Sequence, residues 1–189
     1  MKAFLKQNMS RYVKLSNDDF ERFYATLKFK TFKKRENLLV SGSICREAFF
    51  IIEGCIRYYN VSDGEEHTGQ FFFEGSWYSD YDSFLFERPS KQTIQAIEET
   101  SVAILSKASM NQLYDEMPRF ERFGRLMAEN AFMGLRQRTE ALTQLSALDR
   151  YMRLVENRPK VIQRVPQRFI ASYLGIRPQS LSRIRKSIT

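Results

Sequence analysis

The apolar positions change period twice along the chain. Phe20, Phe23, Tyr24 and Leu27 recur at helical spacing, Ser16 stands where a cap belongs, and Asp18 and Asp19 suit a helix N-terminus. The spacing predicts a helix over about 10–28. From about 30 to 106 the pattern breaks into short runs. Residues 48–52 form an apolar run, Gly54 interrupts it, and 55–61 resume it. Asp63-Gly64 is a strong two-residue hairpin signal, with 67–73 as the return strand. Ile94, Ala96, Val102 and Ile104 fall in two further strands around Glu98-Glu99-Thr100. Many short strands at this spacing predict a sandwich or jelly-roll barrel.

Helical periodicity returns after Ser106. A short helix is expected over 109–116, stopping before Pro118, and a long one within 119–145, of about 25 residues and roughly 37 Å at 1.5 Å per residue. In it Phe120, Phe123, Met127, Ala131, Gly134 and Arg138 recur at spacings of 3 and 4, and Leu126, Met133, Leu135 and Leu142 widen the apolar surface. That is more apolar surface than one small barrel face needs. Packing within the subunit is one reading; a seam with a second copy through Phe120, Phe123, Met127, Ala131 and Gly134 is the one preferred. A further helix over 149–156 ends at Arg158-Pro159, and 160–165 reads as a short extended lead.

The last segment is the most specific. Pro166 suits the first turn of a helix, and Ile170 and Leu174 share one face. Ala171 is small where two helices would approach, Gly175 can end the first helix in the left-handed conformation, and Pro178 restarts a second. Leu181, Ile184 and Ile188 form its apolar stripe. Gln179, Ser180, Arg183 and Ser187 lie on the opposite face, with the reach and donors to read base edges. The pattern is that of a helix-turn-helix; a solvated amphipathic hairpin shares the spacing alone.

Charge supports the same segment. The chain has 189 residues, 43% of them hydrophobic, and a net charge of +8. Residues 145–189 carry ten Lys and Arg against two Asp and Glu, which accounts for the whole excess. Such a localised basic patch is expected where DNA phosphates bind, and Arg168, Arg177, Arg185 and Lys186 are the candidate phosphate contacts. A basic membrane-surface helix is disfavoured because the segment lacks Trp and a broad apolar face. With no apolar run of about 18 residues and no apolar leader after Met1, a cytoplasmic protein with reduced Cys45 and Cys55 is expected.

Other chemistry is thin. Asp80, Asp82 and Glu87 cluster among aromatics, where acid/base or metal work is conceivable, but a solvated loop is preferred. The single histidine, His67, cannot be placed beside a nucleophile, and no enzyme is expected. The run Phe71-Phe72-Phe73 exceeds what a half-buried strand needs. One face could line a ligand pocket; core and interdomain contact explain it equally well.

A strand-rich domain, a long helix and a C-terminal helix-turn-helix, in that order, resemble the Crp/Fnr regulators across nearly the whole chain. Phe49-Phe50-Ile51-Ile52-Glu53-Gly54-Cys55-Ile56-Arg57 looks like the family's strand–Gly–strand segment, and 167–176 with Leu181-Ser182-Arg183-Ile184 resemble its DNA-reading unit. The resemblance implies an α+β chain. Its parts are an N-terminal jelly-roll, cyclic-nucleotide-binding-like barrel with flanking helices (1–118), a long dimerisation helix (119–145) and a helix-turn-helix domain (146–189). It implies a homodimeric, sequence-specific transcription regulator of double-stranded DNA, with Gln179, Ser180 and Arg183 reading bases and RNA polymerase a candidate partner. Nucleotide-binding members carry Gly-Glu and later Arg-Ser or Arg-Thr. Here Gly75-Ser76 and Ser90-Lys91 stand near those places, without the carboxylate and without the bidentate arginine; Arg88 is two residues away. The candidate effector pocket is Phe73, Gly75, Ser76, Trp77, Lys91 and Gln92, its effector unknown. Iron–sulfur members need about four cysteines and this chain has two, so no cofactor is expected. The β-wing that follows the reading helix in relatives is expected to be absent.

Overall fold

A computed structural model describes residues 1–188; Thr189, the last residue of the expected helix-turn-helix domain, lies outside them. Two helices open the chain where one is expected. They are α1 (Lys2–Ser10) and α2 (Asn17–Ala25), and α2 begins where it does because the Ser16 hydroxyl accepts from the Asp19 N–H at 3.0 Å. Then come β1 (Lys28–Phe32), β2 (Asn37–Leu39), β3 (Glu47–Glu53), β4 (Cys55–Ser62), β5 (Glu65–Phe73), β6 (Trp77–Tyr78), α3 (Tyr81–Phe86), β7 (Thr93–Ala96) and β8 (Thr100–Ser106). The rest is helical: α4 (Lys107–Glu116), α5 (Pro118–Gln144), α6 (Ala147–Asn157), α7 (Pro159–Arg164), α8 (Gln167–Leu174) and α9 (Pro178–Ser187).

The strands form a β-sandwich of two antiparallel four-stranded sheets, ordered β1-β8-β3-β6 and β2-β7-β4-β5. Asp63 and Gly64 both have positive φ (53° and 76°), as a two-residue hairpin of type I′ demands, and Ser62 pairs with Glu65 across it. Gly54 joins β3 to β4 at φ 98°, and a Cβ there would lie 2.5 Å from the Glu99 carbonyl. Strand alternation then sorts the apolar runs. Phe49, Ile51, Ile56, Ile94, Val102 and Ile104 fill the sandwich interior. Phe50, Ala103 and Leu105 face outward and carry the helices, through Leu5, Met9, Phe20, Phe23, Leu113 and Phe120.

The second sheet also has a covered outer face. Phe71 and Phe73 of β5, with Cys55 and Ile97, join Tyr151, Leu154, Val161, Phe169, Ile170 and Leu181 in one continuous core. The C-terminal helices therefore have no core separate from the sandwich. Of residues 160–165, expected as an extended lead, 160–164 are instead part of α7, with Pro159 at its first turn and Val161 fully buried, and Val165 alone is extended.

The long helix α5 spans 27 residues, about 40 Å. Its expected seam is corrected in part. Phe120 and Phe123 are buried inside the subunit, with the Phe120 ring centre 5.1 Å from that of Phe23 and Phe123 edge-on to Trp77. Met127 is half-buried against the same cluster. Ala131 is exposed, and a Cβ on Gly134 would meet nothing within 4 Å. The apolar side chains that stay exposed lie round the helix from that stripe: Phe132 at 65% and Leu135 at 60%, with Met133 and Leu142. Among the described residues no helix is long and apolar enough to cross a membrane.

Candidate nucleic-acid interface

The turn between α8 and α9 is built as the sequence requires. Gly175 has φ 67° and ψ 33°, the left-handed conformation that closes a helix. The Ile176 N–H donates to the Ala171 carbonyl and the Gly175 N–H to that of Ser172, both at 3.0 Å, the pair of bonds that defines a Schellman ending. Ala171 is fully buried where the helices meet. Pro178 occupies the first turn of α9, and the Arg177 carbonyl accepts from Ser180 at 3.0 Å and Leu181 at 3.2 Å. Pro166 sits just before α8 rather than in its first turn.

Leu181 is buried and Ile184 is half-buried, which turns Gln179, Ser182 and Arg183 to the outside. Ser180 is half-buried. Ile188 is 46% exposed, because α9 ends at Ser187 before its stripe can bring Ile188 back to the core. Arg168, Arg177, Arg185 and Lys186 are all exposed. Arg168 lies over the Phe169 ring at 4.6 Å. Gln167, Ser182, Arg185 and Lys186 line one open groove between the start of α8 and the end of α9. Backbone N–H groups at a helix start and two cations on one groove suit an anionic backbone.

Not all of the basic excess is available to phosphates. Four of the C-terminal cations are engaged by partners within the chain. Arg150 donates to the Leu145 carbonyl at 2.6 Å and to that of Leu174 at 3.1 Å. Arg158 donates to the Phe71 carbonyl at 2.6 Å and to the Gln70 side chain. Lys160 pairs with Glu74 at 2.8 Å, and Arg164 bridges Glu74 and Glu98. Burial would raise the Glu74 carboxyl, but the hydrogen bonds from Arg164 and Lys160 outweigh it and bring the group down to about 2. These cations bind the sandwich, so part of the basic excess holds the chain together.

The candidate effector pocket does not assemble from the six expected residues. Phe73 faces outward under Arg164, whose guanidinium stands 5.1 Å from its ring centre. Gly75 packs beneath α1, where the Asn8 side chain donates to its carbonyl at 2.8 Å. Ser76 closes a turn back to Phe73, Trp77 packs on Phe50 and Phe23, and Lys91 is exposed. Gln92 alone of the six reaches the sandwich interior, accepting from the Tyr78 hydroxyl at 2.6 Å. There Tyr78 stacks on Phe72 (ring centres 4.1 Å apart) and on Tyr58 (5.2 Å). Asp80, expected on a solvated loop, is buried at 3% exposure and accepts from the Ser90 hydroxyl at 2.5 Å. Asp82 is held by Arg88 and Glu87 by Lys107 at the surface. The three consecutive phenylalanines thus divide: Phe72 belongs to the interior stack, while Phe71 and Phe73 carry the C-terminal helices.

The sequence reading missed Arg57. On β4 it is enclosed by Glu66 at 2.5 Å, Thr68 at 3.3 Å and Gln95 at 2.9 Å, between the rings of Tyr59 and Phe169. An arginine inside the apolar run 55–61 was its only sequence signal. Cys45 and Cys55 are buried free thiols, and burial with Glu98 nearby pushes that of Cys55 up. Among the described residues no group of three or more His, Cys, Asp or Glu is placed to hold a metal ion.

Comparison with known proteins agrees with this geometry. Residues 29–117 match the family described as Cyclic nucleotide-binding domain. FixK2 from Bradyrhizobium japonicum superposes with a TM-score of 0.72 at 17% identity, over 86% of this chain and 84% of that one. The c-di-GMP responsive global regulator CLP from Xanthomonas campestris gives 0.75 at 16% identity, over 92% and 91%. A CooA variant from Carboxydothermus hydrogenoformans gives 0.69 at 16%, over 87% and 77%. No curated protein matches the chain in sequence. Residues 29–117 thus carry a cyclic nucleotide-binding domain, and the fold over most of the chain, in the order and packing of its elements, is shared with FixK2 and CLP.

Proposed function

We propose that this chain is a sequence-specific, DNA-binding transcription regulator that acts as a homodimer, with a sandwich domain placed to respond to an effector. One observation carries the reading. A short helix, fixed at its start by Pro178 and in its roll by buried Leu181, holds Gln179 and Arg183 outward beside a groove bordered by Arg185 and Lys186. Such a helix fits a major groove, with its N-terminal residues at base edges and flanking cations at phosphates. The fold shared with global regulators supports the same reading.

One copy of α9 reads one half-site. The occupant of the exposed face of α5 is taken to be a second copy of this chain. Ala128, Phe132, Leu135, Thr139 and Leu142 follow one another at spacings of 4, 3, 4 and 3 along that helix, the pattern of a two-helix seam. Phe132, Leu135 and Leu142 replace Phe120 and Phe123 as the expected contacts.

A salt titration against random duplex DNA tests the reading. Phosphate binding by several cations makes the affinity fall steeply with salt. Binding that does not change with salt, or none at any salt, would instead favour a ligand- or protein-binding module whose helix pair leaves DNA alone.

A further inference from the structure

An α-helix leaves its last carbonyls without partners of its own. In α8 those of Ala171 and Ser172 are used by the Gly175 turn. The next two are taken by arginines from other helices. Arg150 of α6 donates to the Leu174 carbonyl, and Arg138 of α5 donates to that of Tyr173. The Arg138 guanidinium also lies flat against Tyr173, 3.6 Å from the ring centre, so one side chain grips both backbone and ring. A cation at this end is favoured by the helix dipole. One turn along α5, Leu142 approaches Gly175; its Cδ2 would lie 3.7 Å from a Cβ built there. On the other side Tyr173 rests on Phe71 of β5, with ring centres 5.4 Å apart.

The turn that launches α9 is therefore held by α5 from one side and by the sandwich from the other. We infer that Arg138 is a positioning residue for DNA recognition. By capping α8 from the long helix, it fixes the direction of α9 relative to α5, and with it the spacing between the two half-sites that a dimer accepts. The inference rests on the dimeric DNA-binding reading above. In that dimer α5 meets its twin through Phe132 and Leu135, about a quarter turn round the helix from Arg138. Arg138 then joins the symmetry axis to the reading helix without touching DNA. Burial lowers the Arg138 pKa and neighbouring Tyr173 and Tyr58 oppose this; an arginine keeps its charge regardless, so the cap persists across the physiological pH range.

The test is selection from a random duplex library with the full chain, scoring half-site sequence and half-site spacing separately. The parent is expected to return inverted half-sites at one spacing. Arg138→Ala should return the same half-sites over several spacings, with roughly tenfold weaker binding to the parent's operator, the scale of losing a charge-assisted hydrogen bond. Arg138→Lys keeps the charge but has neither the planar fork nor the flat stack, and should broaden the spacing to a smaller degree. It serves as the test if Arg138→Ala does not fold. The exposed Arg136, paired with Glu140, is the control, and Arg136→Ala should keep the parent spacing. A purely structural role for Arg138 would lower melting temperature and affinity while leaving the spacing single. That outcome, or a parent-like spacing in the folded Arg138→Lys protein, overturns the inference. A parent that selects no sequence at all removes the DNA-binding reading itself, and the inference with it.

Discussion

The guanidinium of Arg57 lies 3.7 Å from the centre of the Phe169 ring. Arg57 belongs to β4 and Phe169 to α8, so this stacked pair joins the two parts of the chain beside the core they share. Glu66, Thr68 and Gln95 hold the guanidinium by hydrogen bonds, and its side chain is 2% exposed. Arg57→Ala should therefore loosen the sandwich and its hold on α8 together. The loss of a buried, charge-assisted set with a ring stack is expected to cost about 2–4 kcal/mol. Thermal melting checks it, and a variant that melts with the parent would contradict the account.

The long helix separates two kinds of apolar residue, and substitutions should distinguish them. Phe132→Glu places a carboxylate on an exposed position that the account assigns to the seam, so the fold should survive and the dimer should dissociate. Phe123→Glu buries the carboxylate among Phe120, Tyr12 and Trp77, so the subunit itself should fail to fold. Light scattering with circular dichroism separates the outcomes. A folded parent monomer, or a Phe132→Glu protein that stays dimeric, would overturn the assignment of this face.

The contact of Glu74 with Arg164 and Lys160 should appear as acid sensitivity. The folded-state pKa is lowered to about 2 from the ordinary 4.5, so its contribution is present above about 4.5 and is lost as the pH falls towards 2. Glu74→Gln should be less stable than the parent at pH 7, on the order of 2 kcal/mol. The difference should close near pH 2. Denaturant melts at several pH values test this; a difference that does not change with pH would show that Glu74 acts by packing alone.

Cyclic AMP and cyclic GMP should bind weakly or not at all. The interior end of the sandwich presents Asp80 paired with Ser90, and Arg88 is engaged with Asp82 at the surface. A carboxyl group beside a rim without a free guanidinium is a poor seat for a cyclic phosphate. Calorimetry showing stoichiometric binding at micromolar affinity would contradict this.

Much of this architecture was legible because it rests on local chemistry. Asp63-Gly64 announces its turn through the positive φ that both residues adopt, and Gly175 with Pro178 announces the break between α8 and α9. What escaped the sequence depends on partners distant in the chain. A stripe such as Phe120, Phe123 and Met127 reads alike whether it meets a second copy or, as here, Phe23 and Trp77. Arg57, Arg138 and Arg164 look like surface cations until the carbonyls, rings and carboxylates they meet are placed. The helix α7 was hidden because Val161 and Ile162 suit strands and six residues carry too little period. Asp80 could not be told from Asp82, two residues away, because only the packing of α3 buries one and exposes the other.

Selection from a random duplex library with the parent and Arg183→Ala bears most directly on the central claim. Arg183 is exposed on α9, one turn from Gln179, and its fork can donate to both O6 and N7 of guanine. The account predicts that the parent enriches an inverted repeat with half-sites about 34 Å apart. Arg183→Ala should flatten preference at one base position per half-site, at about 1–3 kcal/mol each, while non-specific affinity stays nearly unchanged. Arg168→Ala should weaken binding to all sequences alike. Failure of the parent to enrich any sequence would contradict the account. An unchanged motif from Arg183→Ala would show that α9 does not read bases through this residue.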